Sequence, residues 1–406
     1  MINYNNFFQN HANQIIAEGR YRNFLNIKRL AGDFPYAICP STGKKIVMWC
    51  INDYLAMGQN PEVISAGVAA IKAMGAGAGG TRNIGGNNAM IVELENTLKQ
   101  FHNKESALVF TSGYVANDAV LSTLAKIIPD IVFFSDEDNH ASIIHGIRNS
   151  KAEKYIYKHL DMESLEAGLQ KFPATRPKVI VFESVYSMDG LESPIENICK
   201  LAQKYNALTY IDEVHTVGLY GNNGSGIARL RNLDNNIDII QGTLGKAIGA
   251  IGGYIVSGRD ISEAIRLSAP GFIFTTALPP AIAASAVASI NHISVNARER
   301  DELHNKVSML KKKLDLAGIS YIANNSHIVP IIIGDPILTK QISELLLHEY
   351  NIFVQHINFP TVKRGTERLR ITPTPVHTEV MINDLVSALQ EIFLKLGITP
   401  IRSEVA

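Results

Sequence analysis

Residues 207–218 read "ALTYIDEVHTVG" and residues 237–258 read "IDIIQGTLGKAIGAIGGYIVSG". Each stretch begins with an apolar run and then turns to small and polar residues. The same pattern occurs in "SALVFTSGY" (106–114), "IVFFSDEDNH" (131–140) and "KVIVFESVYSMDG" (178–190). Such runs, alternating with helical segments, are typical of strands buried on both faces of a sheet. The sequence therefore predicts an α/β fold with a mostly parallel sheet and with ligands at the carboxyl ends of its strands.

The character of the sequence changes twice along the chain. The first 50 residues read as a helical arm followed by a short hairpin. After the alternating strands and helices, a charged helical segment precedes short apolar runs and another helix, which indicates a smaller α+β domain. We therefore predict an N-terminal arm (1–50), a large α/β domain with a ligand site at its strand ends (51–290) and a C-terminal small domain (291–406).

The composition excludes several classes of function. The 406 residues include 38 basic and 38 acidic ones, so the formal charge is zero, and there is no basic stripe for nucleic acid or an anionic membrane. Three scattered cysteines are too few for a disulfide framework or a tetrahedral metal site. No window approaches the ~18 apolar residues of a membrane helix, and the N-terminal residues lack the apolar core of a signal peptide. The expectation is a cytoplasmic protein without a metal.

The stretch "GAGAGGTRNIGG" (75–86) contains G-x-G-x-x-G, the pattern of a dinucleotide-binding turn. Such a turn must follow a strand, whereas the apolar spacing of residues 61–74 predicts a helix. A second helix is predicted to begin near Asn88. The glycines are therefore predicted to lie in a loop between two helices, with Gly75 as a helix C-cap.

The ends of the predicted strands carry the residue types that suit pyridoxal phosphate (PLP). Asp212 would pair with the ring nitrogen, His215 would reach the phenolic oxygen, and Lys246 would form the Schiff base. Ser187 follows a neighbouring strand, and His140 follows another and would stack on the cofactor ring. Because the carboxyl ends of parallel strands meet at one edge, these side chains are predicted to face one crevice.

A phosphate site is predicted where "TSGYVAND" (111–118) closes a strand and opens a helix. The backbone N–H groups of Ser112, Gly113 and Tyr114, together with the helix dipole, would face the anion. The hydroxyl of Thr243 would complete the cradle.

Along the chain the phosphate loop is followed by the stacking histidine, the serine, the Asp-x-x-His pair and the lysine. This order resembles that of the fold-type I PLP-dependent enzymes and, among them, the α-oxoamine synthases, which condense an amino acid with an acyl-CoA. The resemblance covers essentially the whole chain and includes "EGRYRNF" (18–24), "GAGAGGTRNI" (75–84) and "INFPTVKRGTERLRITPTPVH" (357–377). It implies a large domain with a mostly parallel seven-stranded sheet, a smaller C-terminal α+β domain and an N-terminal helical arm. It also implies a homodimer with active sites at the subunit interface.

The resemblance further implies the reaction: glycine and succinyl-CoA would give 5-aminolevulinate, CoA and carbon dioxide, the first step of a haem pathway. Lys246 would be the general base, Arg370 would clamp the glycine carboxylate, and His140 would also donate to the acyl oxygen. Thr275 or Thr276 would reach the phosphate of the partner's cofactor.

Succinyl-CoA carries a second carboxylate, so the resemblance implies a second anion site as well as contacts with CoA. The residues it implies are Arg22, Thr81 and Asn83, with Asn52 nearby, for the acyl carboxylate, Ser135 and Lys154 for CoA, and Thr361 on a loop that would close over the substrate.

Two other functions stay open at this point. A sister enzyme would use acetyl-CoA with glycine, or a different amino acid with a longer acyl-CoA, and would leave Arg22 without an anion. A PLP-fold protein without activity would be expected to lack Lys246, which is present. Arg22 could also be a solvated residue of the arm. Three departures from the usual residues of the family, at Ile91, Ile248 and Lys363, lie outside the bond-making groups.

Overall fold

The computed structural model describes residues 2–21 and 24–398 of the chain. Its contacts divide the chain into two compact units, which we call the terminal unit and the central unit. The terminal unit comprises Met1–Ile51, Met188–Gly190 and Glu302–Ala406, and the central unit comprises Asn52–Ser187 and Leu191–Asp301.

Strands of the described residues form three sheets, two in the terminal unit and one in the central unit. The strands are β1 (Lys28–Arg29), β2 (Tyr36–Cys39), β3 (Lys44–Met48), β4 (Ser106–Phe110), β5 (Val132–Asp136), β6 (Glu153–Tyr157), β7 (Lys178–Glu183), β8 (Ala207–Asp212), β9 (Ile239–Thr243), β10 (Gly253–Ser257), β11 (Val329–Ile332), β12 (Ile352–Phe353), β13 (His356–Ile357) and β14 (Arg368–Ile371).

Helices alternate with the strands of the central unit. Among the described residues, no helix combines the length and the apolar character that crossing a membrane requires. The helices are α1 (Tyr4–Ala17), α2 (Pro61–Met74), α3 (Ala89–Phe101), α4 (Gly113–Ile127), α5 (Ala141–Ser150), α6 (Met162–Leu169), α7 (Ile195–Tyr205), α8 (Ile227–Leu230), α9 (Arg259–Ser268), α10 (Pro270–Ile273), α11 (Pro280–Val295), α12 (Arg298–Leu316), α13 (Pro336–Tyr350) and α14 (Glu379–Leu396).

The central sheet has seven strands in the order β4-β10-β9-β8-β7-β5-β6. Strands β5 to β9 pair in parallel, and only β10 runs antiparallel to its neighbours β9 and β4. Every residue of β5, β7 and β10 is buried, which explains their continuous apolar runs, because a strand covered on both faces needs no polar alternation. The predicted mostly parallel seven-stranded sheet of fold-type I is confirmed.

The terminal unit joins the first 51 residues to the C-terminal part of the chain. Strand β3 pairs in parallel with β12, where Val47 lies opposite Ile352. The ring of Trp49 packs on that of His377 at a centroid distance of 3.9 Å, and His377 Nε2 lies 3.0 Å from the Met48 carbonyl oxygen. The sequence predicted the arm and the small domain as separate units. In the structure they form one compact unit, because these pairings join them. The sequence does not reveal the pairings, since the paired residues are far apart along the chain.

A partly buried histidine of the central unit links helices α2 and α11 to the first turn of α12. His292 of α11 lies 3.2 Å from Glu62 Oε2 of α2 through Nδ1, and 3.1 Å from Glu299 Oε1 of α12 through Nε2. Burial opposes protonation of this ring, but the hydrogen bonds to Glu299 and Glu62 outweigh it and raise the pKa of His292 above 6.5. The charged bridge therefore stabilises the fold below pH 6.5, and its contribution is lost as the pH rises through the raised pKa.

We expect His292→Gln to lower the urea midpoint of unfolding in mildly acidic buffer and to leave it unchanged once wild-type His292 is neutral. The expected loss is at most about 1 kcal/mol, since Glu62 is exposed and solvent screens the pair. Urea unfolding across the pH range measures it, with His348→Gln, an exposed histidine of α13, as the control. A loss that is equal at every pH would contradict the charged bridge.

Candidate active site

The predicted Schiff-base lysine ends a chain of hydrogen bonds in the central unit. Lys246 Nζ lies 3.1 Å from His215 Nε2, and His215 Nδ1 lies 2.9 Å from the hydroxyl of Tyr54. The Tyr54 hydroxyl also lies 3.2 Å from Asn52 Oδ1. Both His215 and Tyr54 are buried, and the two ring nitrogens of His215 face different partners, the Tyr54 phenol at Nδ1 and the Lys246 amine at Nε2.

The predicted partner of the ring nitrogen is a buried carboxylate at the end of β8. Asp212 Oδ2 accepts a hydrogen bond from Asn117 Nδ2 at 2.8 Å, and its Oδ1 accepts one from the backbone N–H of Val214 at 3.0 Å. The Tyr210 hydroxyl in turn donates to Asn117 Oδ1 at 2.7 Å. These two N–H donors fix the orientation of the Asp212 carboxylate.

The predicted stacking histidine caps helix α5. The backbone N–H of Ser142 donates to the ring nitrogen Nδ1 of His140 at 3.2 Å. The backbone N–H of His140 donates to Glu183 Oε1 at 2.6 Å. Burial lowers the pKa of His140, the charge of Asp212 raises it, that of Lys246 lowers it, and the net shift is downward. His140 as a residue is nevertheless exposed.

The predicted phosphate cradle lies at the first turn of α4, where Ser112 is the N-cap and accepts from the Val115 N–H at 3.1 Å. Helical geometry leaves the first N–H groups of the helix without an intrahelical acceptor. A Cβ placed on Gly113 would lie 3.4 Å from Thr243 Oγ1, so the helix start and the end of β9 are in contact. The Thr243 hydroxyl donates to the Gly252 carbonyl oxygen at 2.9 Å and accepts from the Gly245 N–H at 3.1 Å, which shapes the turn before Lys246.

The glycine stretch lies between α2 and α3, as predicted, and Gly75 is the C-cap of α2 with φ of 82°. The backbone at Gly86 touches that at Gly80 so closely that a side chain there would overlap it. Thr81 forms an isolated antiparallel bridge with Thr276, and the Ala277 N–H donates to the Gly80 carbonyl oxygen at 2.9 Å. The structure therefore brings the predicted acyl-carboxylate loop and the Thr275–Thr276 segment together.

Arg82, between the two predicted acyl contacts, holds that loop in place. Its guanidinium binds both carboxylate oxygens of Glu95, at 2.7 and 3.0 Å, and its Nε donates to Asn87 at 2.8 Å. Of its two neighbours, Thr81 is half-buried and Asn83 is exposed.

The two residues associated with CoA lie on neighbouring strands but differ in exposure. Ser135 of β5 is 1% exposed, accepts from Asn139 Nδ2 at 2.9 Å and donates to the Asp136 carbonyl oxygen at 3.2 Å. Lys154 of β6 is exposed. The sequence could not predict this difference in exposure, because β5 is buried by elements that cover both faces of the sheet, whereas β6 is mostly exposed. Ser187 lies beyond the end of β7, within the central unit.

The remaining predicted site residues belong to the terminal unit or lie outside the described residues. Arg370 is a buried residue of β14, and Thr361 lies on an exposed segment between β13 and β14. Thr275 donates its hydroxyl proton to the Gly271 carbonyl oxygen at 2.6 Å in the central unit. Arg22 lies outside the described residues.

The three departures from the family pattern occupy ordinary structural positions. Ile91 and Ile248 are each 1% exposed and pack in the core of the central unit. Lys363 is exposed, and its carbonyl oxygen accepts from the Thr366 hydroxyl at 2.7 Å.

Sequence reasoning missed four residues that organise the site: Tyr54, Asn117, Ser142 and Gln241. Each is a polar side chain buried in the central unit. Gln241 ties β9 to α4 by donating from Nε2 to the Gly113 carbonyl oxygen at 3.3 Å. A polar residue at an apolar helix or strand position was the available signal, but it does not name the partner.

The site fits PLP. Its donor set consists of a lysine amine beside an imidazole, a buried carboxylate held by two N–H donors, and the amide N–H groups of a helix start. The Tyr114 ring of that first turn lies 6.4 Å from the His140 ring, edge to face, which connects the cradle to the stacking residue. An aldehyde-bearing pyridinium phosphate needs an amine, an anion and an anion cradle, and all three meet within one unit.

Comparison with known proteins places the chain in a family. The sequence profile of the aminotransferase class I and II family matches residues 44–389. The 5-aminolevulinate synthase of Rickettsia bellii is 60% identical over 398 residues, which cover 98% of this chain and 96% of that protein. The chain belongs to the 5-aminolevulinate synthase family. A further synthase of this family, from Bradyrhizobium diazoefficiens, is 48% identical over 98% of both chains.

Solved structures support the same fold for this 5-aminolevulinate synthase family member. A serine palmitoyltransferase from S. paucimobilis, solved with a bound PLP–myriocin aldimine, superposes with a TM-score of 0.89 at 28% identity and covers 96% of this chain and 98% of its own. The 8-amino-7-oxononanoate synthase of Francisella tularensis gives a TM-score of 0.73 at 25% identity, covering 87% of this chain and 98% of its own.

Proposed function

We propose that this chain catalyses the PLP-dependent condensation of glycine with succinyl-CoA to 5-aminolevulinate, CoA and carbon dioxide, the first step of haem biosynthesis. The observation that carries the proposal is the full-length identity of 60% to a relative named 5-aminolevulinate synthase. The hydrogen-bonded set around Lys246 and Asp212 supports it, because it presents the groups that the chemistry needs at one sheet edge.

The cofactor is PLP. Lys246 would hold it covalently, Asp212 and His215 would hold its ring nitrogen and phenolic oxygen, and the start of α4 would hold its phosphate. When bound, PLP supplies an electron-withdrawing ring that makes the α-carbon of a linked amino acid acidic. His140 and Ser187 would line the ring.

The residues of the chain would handle the protons and charges of the reaction. Lys246 Nζ would take the proton from the α-carbon of glycine, and its hydrogen bond to His215 Nε2 orients the amine for this task. Arg370 would bind the glycine carboxylate, which a guanidinium fork matches better than an ammonium. His140 would donate to the thioester oxygen as it gains charge.

We further propose a cytoplasmic homodimer with active sites at the subunit interface. In it, Thr276 and the bridged Thr81 would approach the partner's cofactor and acyl chain, since an antiparallel bridge joins their two segments. Helix α1 buries none of its residues in the described chain, and Phe8 and the loop residue Phe274 are 71% and 76% exposed. Exposed aromatic side chains of this kind are expected at a subunit contact.

The acyl site is tested by changing the predicted carboxylate clamp. We expect Arg22→Leu to lower kcat/KM for succinyl-CoA by ~10²-fold, the loss of a charge-assisted pair, and to change acetyl-CoA use little. Arg29→Leu, an exposed arginine of β1, is the matched control. Equal losses for both acyl-CoAs would contradict the clamp.

A panel of acyl-CoAs offered with glycine tests the function directly. Release of free CoA is measured for succinyl-, acetyl- and longer acyl-CoAs, and the amino ketone is identified by mass. We expect succinyl-CoA and 5-aminolevulinate to dominate. A preference for acetyl-CoA would assign the sister reaction, and the absence of CoA release with every substrate would indicate a PLP-fold protein without this activity.

A further inference from the structure

Asn117 is a hub between the buried carboxylate and the capping histidine of α5. Its side chain is 1% exposed. Nδ2 donates to Asp212 Oδ2 at 2.8 Å and to Ser142 Oγ at 2.9 Å, while Oδ1 accepts from the Tyr210 hydroxyl at 2.7 Å. A primary amide has two N–H donors, so both are used.

The chemistry of the end groups fixes the direction of each bond. A carboxylate only accepts, so Asp212 requires the nitrogen of the Asn117 amide and not its oxygen. The same nitrogen faces Ser142, so Ser142 Oγ is the acceptor of that bond and its own proton is left for another partner. Among the described residues that partner is His140 Nδ1, 2.7 Å away.

His140 Nδ1 therefore receives two donors. One is the Ser142 hydroxyl, and the other is the Ser142 backbone N–H at 3.2 Å, because His140 is the N-cap of α5. A ring nitrogen that accepts cannot carry a proton itself. The neutral ring must then carry its proton on Nε2.

We propose that Asn117 and Ser142 are positioning residues that relay the orientation of the Asp212 carboxylate to His140 and hold its imidazole as the Nε2–H tautomer. The inference deepens the proposed function, since an Nε2–H is the donor that the acyl oxygen would need. Neither residue has to touch the substrate, because both act through His140.

Four groups face His140 from the surrounding elements. They are the carboxylate of Asp212 on β8, the amine of Lys246 after β9, Glu183 on β7 and the Tyr114 ring on α4. Burial shifts the pKa of His140 downward, and the two donors at Nδ1 act in the same direction because they stabilise the unprotonated nitrogen.

The tautomer can be read directly in the PLP-bound enzyme. With ¹⁵N-labelled histidine, the shifts of Nδ1 and Nε2 report which nitrogen is protonated, and the His140 signals are assigned by their absence from His140→Phe. We expect wild type to show Nε2–H. Ser142→Ala removes one donor and should raise the pKa of His140 by up to about one pH unit, and Ser142→Thr should restore it.

Two further variants separate the relay from general packing. Asn117→Leu should also raise the pKa of His140. Without the N–H donor of Asn117, the Ser142 hydroxyl is no longer held in the orientation that donates to His140 Nδ1. Thr123→Val removes a buried hydroxyl of the same helix that lies outside the relay, and should leave the His140 signals unchanged.

An Nδ1–H tautomer in wild type, or an unchanged His140 pKa in Ser142→Ala, would overturn the proposal. Should Asn117→Leu fail to fold, these two measurements still decide. Product formation is measured separately. An enzyme with the Nε2–H tautomer but no 5-aminolevulinate would reject the proposed function and leave the relay standing.

Discussion

Lys246→Ala is expected to form 5-aminolevulinate at least ~10³-fold more slowly than wild type, the scale of losing a general base that is also the covalent anchor. Nζ of Lys246 lies 3.1 Å from His215 Nε2 in the central unit. The residues hydrogen-bonded in series to this amine are an imidazole and, beyond it, a phenol, and neither supplies an amine for a Schiff base.

Free CoA and 5-aminolevulinate measured under substrate saturation test this expectation. Lys204→Ala, which removes an exposed lysine paired with Glu166, is the matched control and should keep wild-type rates. Bound PLP is quantified in parallel by absorbance, so that loss of chemistry is separated from loss of cofactor. Turnover of Lys246→Ala near the wild-type rate would refute the assignment of this lysine.

Asp212→Asn is expected to lower kcat by ~10²- to 10⁴-fold, because a neutral amide cannot keep the ring nitrogen protonated. The structure adds a second cost. Asn117 Nδ2 and the Val214 N–H both donate to Asp212, and an asparagine amide would direct its own N–H₂ at one of them. One buried donor would then be left without an acceptor.

The absorption spectrum of the bound cofactor and kcat for glycine together measure the effect. The matched control is Asp118→Asn. Asp118 follows Asn117 on α4, and its partly exposed carboxylate contacts His145. A variant at position 212 with unchanged kcat would show that another group holds the ring nitrogen. A large effect of Asp118→Asn would show that α4 is merely sensitive to charge.

Much of the fold and the positions of the main site residues could be predicted from local sequence. Strands β5, β7 and β8 were visible because buried parallel strands are continuously apolar, and Asp212 was visible because it ends such a run. The loop around Gly75 was separable from a dinucleotide turn because helical spacing precedes it.

The hydrogen-bonded partners could not be predicted in this way. Tyr54 and His215 are 161 positions apart, and Asn117 and Asp212 are 95 positions apart. An asparagine on a helix shows no preference in sequence for one acceptor over another. The burial of Ser135 was hidden for the same reason, since the elements that cover β5 come from elsewhere in the chain.

The sequence by itself determined the class of fold, the family and which residue types stand at the strand ends, because apolar periodicity and motif order are properties of neighbouring residues. Only the tertiary structure decided that Asn117 and Ser142 connect Asp212 to His140, that Tyr54 supports His215, and that the arm folds on the C-terminal segment. The physical reason is that hydrogen bonds depend on distance and direction in space, and these distances arise only when the sheets bring remote residues together.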